Sequence, residues 1–238
     1  MSTLYGPGLS AIHHEAFASH GDLCAPGILA ALAPDCQVLE LGAGSGALTR
    51  HLVAAGHRVI ATDASTDMLD LLAEAVPHAT VGRLVLGDDG IVPAPNIVSV
   101  GHVLNYLGSQ EQVFDVLLQC VDSLEMGGLL LLDLLDRSYA ETRATLEPLR
   151  WEGEGWEMDV TFALASPDRF VRDISLTWTD PDGTSHHEHE VHTNILVDAD
   201  EACRVLVDAG LVAEVRRSFG DEVLPAGFAV LHGARPAG

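Results

Sequence analysis

The chain contains no lysine. Its twelve basic residues are all arginine and face 35 acidic ones, for a formal net charge of −23. Without lysine there is no Schiff-base chemistry, no phosphate-loop lysine and no Tyr-x-x-x-Lys pair. Without a basic patch there is little to attract a phosphate backbone or an anionic bilayer, so neither nucleic acid nor a membrane is expected as a partner. Long apolar runs are also missing. The longest, around Leu129–Leu135, is too short to span a bilayer and is interrupted by Asp133. Met1–Gly8 has neither the basic nor the apolar stretch of a secretory signal. Cysteine is scarce: Cys24, Cys36, Cys120 and Cys203 show no Cys-x-x-Cys spacing. Reduced thiols in the cytoplasm are expected rather than disulfides or a metal centre.

With 238 residues, 47% of them hydrophobic, the chain has enough apolar material for one α/β domain with an embellishment. Residues 9–33 carry helical spacing, with Pro26 opening a second apolar helix over 27–33. A regular alternation follows. Strands are predicted at 37–41, 58–62, 79–86, 96–100 and 129–135, and helices at 46–55, 65–76 and 110–124. Strands separated by helices imply a parallel, Rossmann-like α/β sheet with helices on both faces. After Asp136 the pattern changes. Residues 151–197 hold aromatic and β-branched alternation, and Asp180-Pro181-Asp182-Gly183 separates predicted strands 171–178 and 185–195. This reads as an antiparallel insert of about three strands. A helix at 200–209 and strands at 212–218 and 228–233 close the chain.

The strongest motif is Val38-Leu39-Glu40-Leu41-Gly42-Ala43-Gly44-Ser45-Gly46, a buried strand running into a glycine turn and then a helix. Such glycines let backbone approach a ligand closely, and the helix start offers free N–H groups. Asp63, at the end of the second strand, is placed to accept hydrogen bonds from both hydroxyls of a ribose. The loop alone also fits a dinucleotide fingerprint, Gly42-x-Gly44-x-x-Ala47. Three features tip the choice: Glu40 ahead of the first glycine, a helical segment before the first strand, and Gly101-His102-Val103-Leu104-Asn105-Tyr106-Leu107 after strand four, with Met126-Gly127-Gly128 before strand five.

On these landmarks residues 5–235 resemble the bacterial class I S-adenosylmethionine (SAM)-dependent methyltransferases of the small-molecule type. The insert resembles that of sugar N-methyltransferases. The resemblance implies a seven-stranded methyltransferase sheet, its last strand antiparallel, with the antiparallel β insert after strand five. It divides a single domain into an N-terminal helical cap (1–35), a SAM-binding core (36–136), a substrate lid (151–197) and a closing helix and hairpin (198–238). It implies SAM as cofactor and S-adenosylhomocysteine as product. Carried over position by position, Gly42, Ala43, Gly44 and Gly46 line the methionine part, and Glu40 orients the loop or reaches the amino group. Asp63 holds the ribose, Ala64 and Met68 flank adenosine, and Gly101 and His102 line the sulfonium side. Two departures stand out. The acid or serine usual at the end of strand three is replaced by Val85, so either Val85–Leu86 backbone or Asp88 meets the adenine. The acid usual before strand four is replaced by Pro95-Asn96.

Methyl transfer needs mainly alignment and exclusion of water, with a general base where the nucleophile carries a proton. His102 and His192 are the candidate bases. Tyr5 is expected over the cofactor; Tyr106, Trp151, Trp156 and His192 are expected against substrate, the tryptophans as an apolar wall or a cage for a cationic amine. In His186-His187-Glu188-His189-Glu190-Val191-His192, strand alternation puts His187 and His189 on one face and the others opposite; an exposed strand is expected rather than a metal site. A small-molecule acceptor methylated at nitrogen or oxygen is the resulting expectation, for a monomer or homodimer. The alternatives are a SAM-binding sensor or recruited cyclase, and less favourably an NAD-dependent oxidoreductase.

Overall fold

The computed structural model describes residues 4–17, 19–180 and 182–238. Helices α1 (Pro7–Ala16) and α2 (Ser19–Ala31) precede β1 (Gln37–Leu41), α3 (Thr49–Ala54), β2 (Arg58–Asp63), α4 (Thr66–Ala75), β3 (Thr80–Arg83) and β4 (Ala94–Ser99). A 3-10 turn over Val103–Tyr106 leads into α5 (Gln110–Ser123), β5 (Leu124–Leu135) and α6 (Arg137–Arg143). Four strands follow, β6 (Leu149–Gly153), β7 (Trp156–Ser166), β8 (Arg169–Thr179) and β9 (Ser185–Ile195), then α7 (Ala199–Asp208), β10 (Val212–Arg216) and β11 (Phe228–Ala234). The main sheet runs β10-β11-β5-β4-β1-β2-β3, with β11 antiparallel to both neighbours. This is the expected seven-stranded arrangement.

Helices cover both faces of the sheet, and its central strands alternate between two cores. Val38, Val98 and Leu131 pack with Cys24, Ile28 and Leu52, whereas Leu39, Ile97 and Leu130 pack with Val113, Leu117 and Leu206. A strand buried on both faces has no use for polar alternation, which is why β5 reads as a leucine run. Asp133 is fully buried within that run.

Several local expectations need correction. Pro26 lies inside α2 and does not open a helix. Pro26 is exposed while Gly21, Cys24, Ala25, Gly27 and Ile28 are buried, so packing of that face carries the helix through the proline. Helix α3 begins at Thr49, because Gly46 has φ +92° and cannot start a right-handed helix. Strand β3 stops at Arg83, where the chain leaves the sheet for a turn over 85–89. Asp136 caps a helix the sequence reading lacked, α6, by accepting from the Ser138 and Tyr139 amides.

The insert holds four strands, order β6-β7-β8-β9, beginning at Leu149. The unforeseen strand is the short edge strand β6, joined to β7 across Glu154-Gly155. The β8–β9 hairpin forms at the predicted turn, where Asp180 Oδ1 accepts from the Asp182 and Thr184 amides; Pro181 itself lies outside the described residues. Leu9 and Ile12 of α1 pack with Met158, Val160, Ile174 and Leu176 in a third core. The insert overhangs the carboxyl ends of the main strands: Asn105, just past β4, donates through Nδ2 to the carbonyls of Leu135 and Ile195, at the ends of β5 and β9.

Candidate active site

At the end of β1 the backbone passes through Gly42, Gly44 and Gly46, all at positive φ. Gly42 is required twice over: its φ is +67°, and a Cβ there would lie 2.3 Å from Val103 Cγ2. The loop is thereby seated against the segment that follows β4. Asp63, the last residue of β2, accepts from the amides of Gly44 and Ser65, each at 2.9 Å. It thus ties the loop to the second strand. Burial pushes its carboxyl up, against the opposing pull of those amides. Met68 is buried beside Gly44 in the first turn of α4, and Ala64 is exposed at the rim. Ala43 is buried, its amide donating to the Thr62 carbonyl at 2.9 Å.

Glu40 is buried behind the loop and accepts from Thr49 Oγ1 at 2.7 Å. Of its two expected roles, this contact matches loop orientation. Burial pushes the Glu40 carboxyl up to about 8, with the Thr49 hydroxyl opposing and Asp63 adding to the rise. Two carboxyls therefore flank the glycine loop, and neither accepts from an arginine or histidine. That acceptor set suits a ligand bringing hydrogen-bond donors to the loop, such as an ammonium or ribose hydroxyls, better than a pyrophosphate.

The adenine end is less well supplied. The Val85 amide donates to Asp89 Oδ2 at 2.8 Å, and the Val85 carbonyl accepts from the Asp88 and Asp89 amides. Both backbone groups of Val85 are thus engaged within the turn. Leu86 is half-buried beside it, and Asp88 is exposed.

After β4 the chain turns through Gly101 (φ +96°) and His102 (φ +51°). Buried Asp133 holds this turn: its two oxygens accept from the Gly101 amide at 3.1 Å and the His102 amide at 2.6 Å, and Oδ2 lies 2.8 Å from His20 Nε2. The His102 ring stacks on Tyr106 at 5.8 Å and meets the edge of Phe228, and neither ring nitrogen has a partner. Burial, reinforced by the Arg172 charge, holds it well below the ordinary histidine range, so it is neutral.

The inner face of the four-stranded insert, the expected lid, supplies the opposite wall. Phe162, Arg172 and His192 form one cross-strand row on it. Arg172 Nη2 donates to the Tyr106 hydroxyl, its guanidinium lies 5.6 Å from the centre of that ring, and its Nε has no partner. The Tyr106 and Tyr5 hydroxyls are 2.9 Å apart. His192 is fully buried, with Nε2 2.7 Å from Glu190 Oε2 and Nδ1 unpartnered. Since Glu190 accepts, Nε2 carries the proton and Nδ1 is left with its lone pair. Burial lowers the His192 pKa, with the Glu190 hydrogen bond opposing. Burial likewise pushes Glu190 up, but the hydrogen bonds from His192, Gly6 and Tyr5 prevail and hold it below the ordinary range.

The inner face of β9 is thus His186, Glu188, Glu190 and His192, as alternation predicts. Its two acids clamp the start of α1. Glu190 accepts from the Tyr5 and Gly6 amides at 2.9 and 2.8 Å, and Glu188 from the Gly8 and Leu9 amides at 3.0 and 3.2 Å. A helix N-terminus leaves such amides free, and carboxylates there are favourable. The clamp sets Tyr5 between the two walls: its carbonyl accepts from Ser65 Oγ at 3.2 Å, and its ring packs against His192 at 4.9 Å and His13 at 5.4 Å. His13, with Nδ1 buried and unpartnered, is lowered to about 4 by burial and then by Arg172.

The structure therefore gathers Tyr5, Glu40, the glycine loop, Asp63, Met68, Gly101, His102, Tyr106 and His192. Trp151 and Trp156, expected against substrate, stand away from this cluster. Trp156 lies in the row of Trp178 and His186, six residues along the strand from the Arg172 row, or about 20 Å at 3.3 Å per residue. Trp151, in the Met158–Leu176 row, packs edge-on against Phe17. Both belong to the core joining lid to α1. Sequence reasoning missed Arg172, Glu190 and Asp133 as site residues. Two signals were there: Phe170, Arg172, Ile174, Leu176 and Trp178 form one face of β8 with a single charged member, and Asp133 interrupts a leucine strand.

Residues 38–128 match the model of a methyltransferase domain. No protein of curated function matches the sequence. Among solved structures, an S-adenosylmethionine-dependent methyltransferase from Clostridium acetobutylicum superposes with a TM-score of 0.80 at 13% identity, over 96% of this chain and 98% of that one. A SAM-bound amino pentose methyltransferase from Micromonospora echinaspora, involved in calicheamicin biosynthesis, gives 0.74 at 16% identity and 99% coverage of both chains. A sugar N-methyltransferase from Streptoalloteichus gives 0.74 at 16%, over 99% and 97%. The glycine loop, Asp63 and the turn after β4 all fall within the matched segment, and the chain has the fold of the class I SAM-dependent methyltransferases.

Proposed function

We propose that the protein transfers a methyl group from SAM to a nitrogen or oxygen of a small molecule held between the glycine loop and the lid. SAM, when bound, supplies an electrophilic methyl on its sulfonium. The loop and Asp63 fix the cofactor, Gly101 and His102 flank its reactive side, and Tyr5 closes over it. His192 is the general base: Nδ1 takes the proton of the acceptor while Glu190, bonded to Nε2, orients the ring and stabilises its charged form. His102 shapes the cavity as a neutral ring.

The observation that carries this reading is the Glu190–His192 pair on the lid, facing across to the turn after β4 with one buried ring nitrogen unpartnered. His102 has no acid to orient it, which makes it the lesser of the two candidate bases. A lid and an N-terminal helix clamped over the site suit an acceptor small enough to be enclosed. The neighbours acting on amino sugars support the same size class and favour nitrogen. The reading includes a cytoplasmic monomer or homodimer: Cys24, Cys36, Cys120 and Cys203 are all free, as a reducing compartment requires.

The test is S-adenosylhomocysteine formation from SAM over a panel of small amines and alcohols. Turnover of at least one member, lost in His192→Ala, is expected. SAM binding without turnover of any member would favour a sensor or recruited cyclase, and NAD binding in place of SAM would overturn the reading.

A further inference from the structure

Arg172 is a cation without an anion. The chain holds 35 acidic residues against 12 arginines, so an unpaired arginine is not the default. Exposed Arg150 lies within reach of three carboxylates, those of Glu152, Glu157 and Asp159. Arg172 is drawn into the lid's inner face, where its only side-chain hydrogen bond among the described residues is to the Tyr106 hydroxyl. Its Nε is buried and unpartnered, and among the described residues no carboxylate forms an ion pair with it. The nearest acid on the facing strand, Glu190, is already held by His192, Tyr5 and Gly6. Drawing a guanidinium partly out of water among phenols and imidazoles, with Nε fully buried, is costly unless a counter-charge arrives. The planar fork of Arg is suited to receiving a carboxylate.

We propose that the acceptor carries a carboxylate, and that Arg172 binds it. The inference rests on the methyltransferase reading and narrows it. Geometry narrows it further. Arg172 and His192 are direct cross-strand partners on one face, and such partners have Cβ atoms about 5 Å apart. With the base and the anion-binding group side by side, the nucleophilic atom and the carboxylate of the acceptor are a few bonds apart. The acceptor is a compact amino or hydroxy acid, not an extended molecule with a remote charge. Tyr106 and Tyr5, hydrogen-bonded to each other beside Arg172, supply further hydroxyls to the same group.

The test uses the full chain saturated with S-adenosylhomocysteine, titrated with acetate, lactate and oxalate, and with acetamide and lactamide as neutral counterparts at matched ionic strength. Carboxylates should raise the melting temperature and amides should not. In Arg172→Gln carboxylate affinity should fall about 10- to 150-fold, the range for hydrogen bonds to a charged group, with S-adenosylhomocysteine affinity unchanged. Arg172→Lys, which keeps the charge, should retain part of the response and serves should the glutamine variant not fold. Equal responses to acids and amides, no response in the wild type, or carboxylate binding undiminished in the variants would overturn the proposal. A fall in S-adenosylhomocysteine affinity in the variants would assign Arg172 to the cofactor and overturn it as well. Failure of the wild type to bind S-adenosylhomocysteine at all would instead remove the methyltransferase reading beneath it.

Discussion

The two walls of the site are built from different materials. The sheet wall is backbone: a glycine loop and a turn at Gly101–His102, each held by a buried acid, Asp63 for the first and Asp133 for the second. The lid wall is side chains: Arg172 and His192, with Tyr5 and Tyr106 from two other segments joined to them by hydrogen bonds and ring contacts. Their polar groups differ too: Glu40 and Asp63 back the sheet wall, while the lid wall presents a guanidinium and an imidazole. Under the proposed function the difference assigns each wall a ligand: the backbone wall holds the cofactor, and the side-chain wall, with Arg172 and His192, holds the acceptor.

Separate walls should fail separately. The largest effect is expected from the lid. His192→Ala should cut turnover about 10²–10⁴-fold, the usual range for a general base, and leave S-adenosylhomocysteine affinity intact. Glu190→Gln should lower turnover less, and it should also loosen α1, read as faster amide exchange at residues 5–9. A parallel fall in cofactor affinity for His192→Ala would merge the two walls into one.

The next effect belongs to the sheet wall. Asp63→Ala removes the acceptor of the Gly44 and Ser65 amides and, on the proposed reading, the group that holds the ribose. SAM binding should weaken by roughly 1.5–3 kcal/mol, measured by calorimetry on a folded variant. Unchanged affinity would leave Asp63 as a loop brace only.

That asymmetry also explains what the sequence disclosed. The sheet wall is local: Glu40, Gly42, Gly44, Gly46 and Asp63 fall within 24 consecutive positions, and each glycine has a backbone reason to be there. The α/β alternation was legible for the same reason, because each strand and helix declares itself by its own periodicity. The lid wall is assembled from residues 5, 106, 172, 190 and 192. Nothing local joins them; the joining is done by strand register and by α1 docking on β9. Aromatic content misled for a related reason. The tryptophans drew notice as large apolar groups, but a four-stranded sheet outside the main core needs them to hold α1.

A smaller effect follows for that core. Trp151→Ala should lower stability by about 2 kcal/mol, below the 3–5 kcal/mol of a fully buried aromatic because Trp151 is only half-buried. Thermal unfolding measures this. S-adenosylhomocysteine affinity should hold; a specific loss of acceptor affinity without loss of stability would return Trp151 to the substrate pocket.

The smallest effect is electrostatic. The Glu40 carboxyl is raised from 4.5 to about 8 in the folded chain. Between those values the native state keeps a proton that the unfolded chain releases, so stability falls as pH rises across this window. Glu40→Gln should flatten that slope. Its melting temperature should match the wild type near pH 5 and exceed it at pH 8. Equal slopes would mean that Glu40 is ionised in the native state.

The division between the walls is tested most directly by one set of calorimetric titrations with S-adenosylhomocysteine and NAD, on wild type, Asp63→Ala and His192→Ala. The account predicts that the wild type binds S-adenosylhomocysteine and not NAD, that Asp63→Ala loses most of that affinity, and that His192→Ala keeps it. NAD binding by the wild type, or an equal loss in both variants, would contradict it.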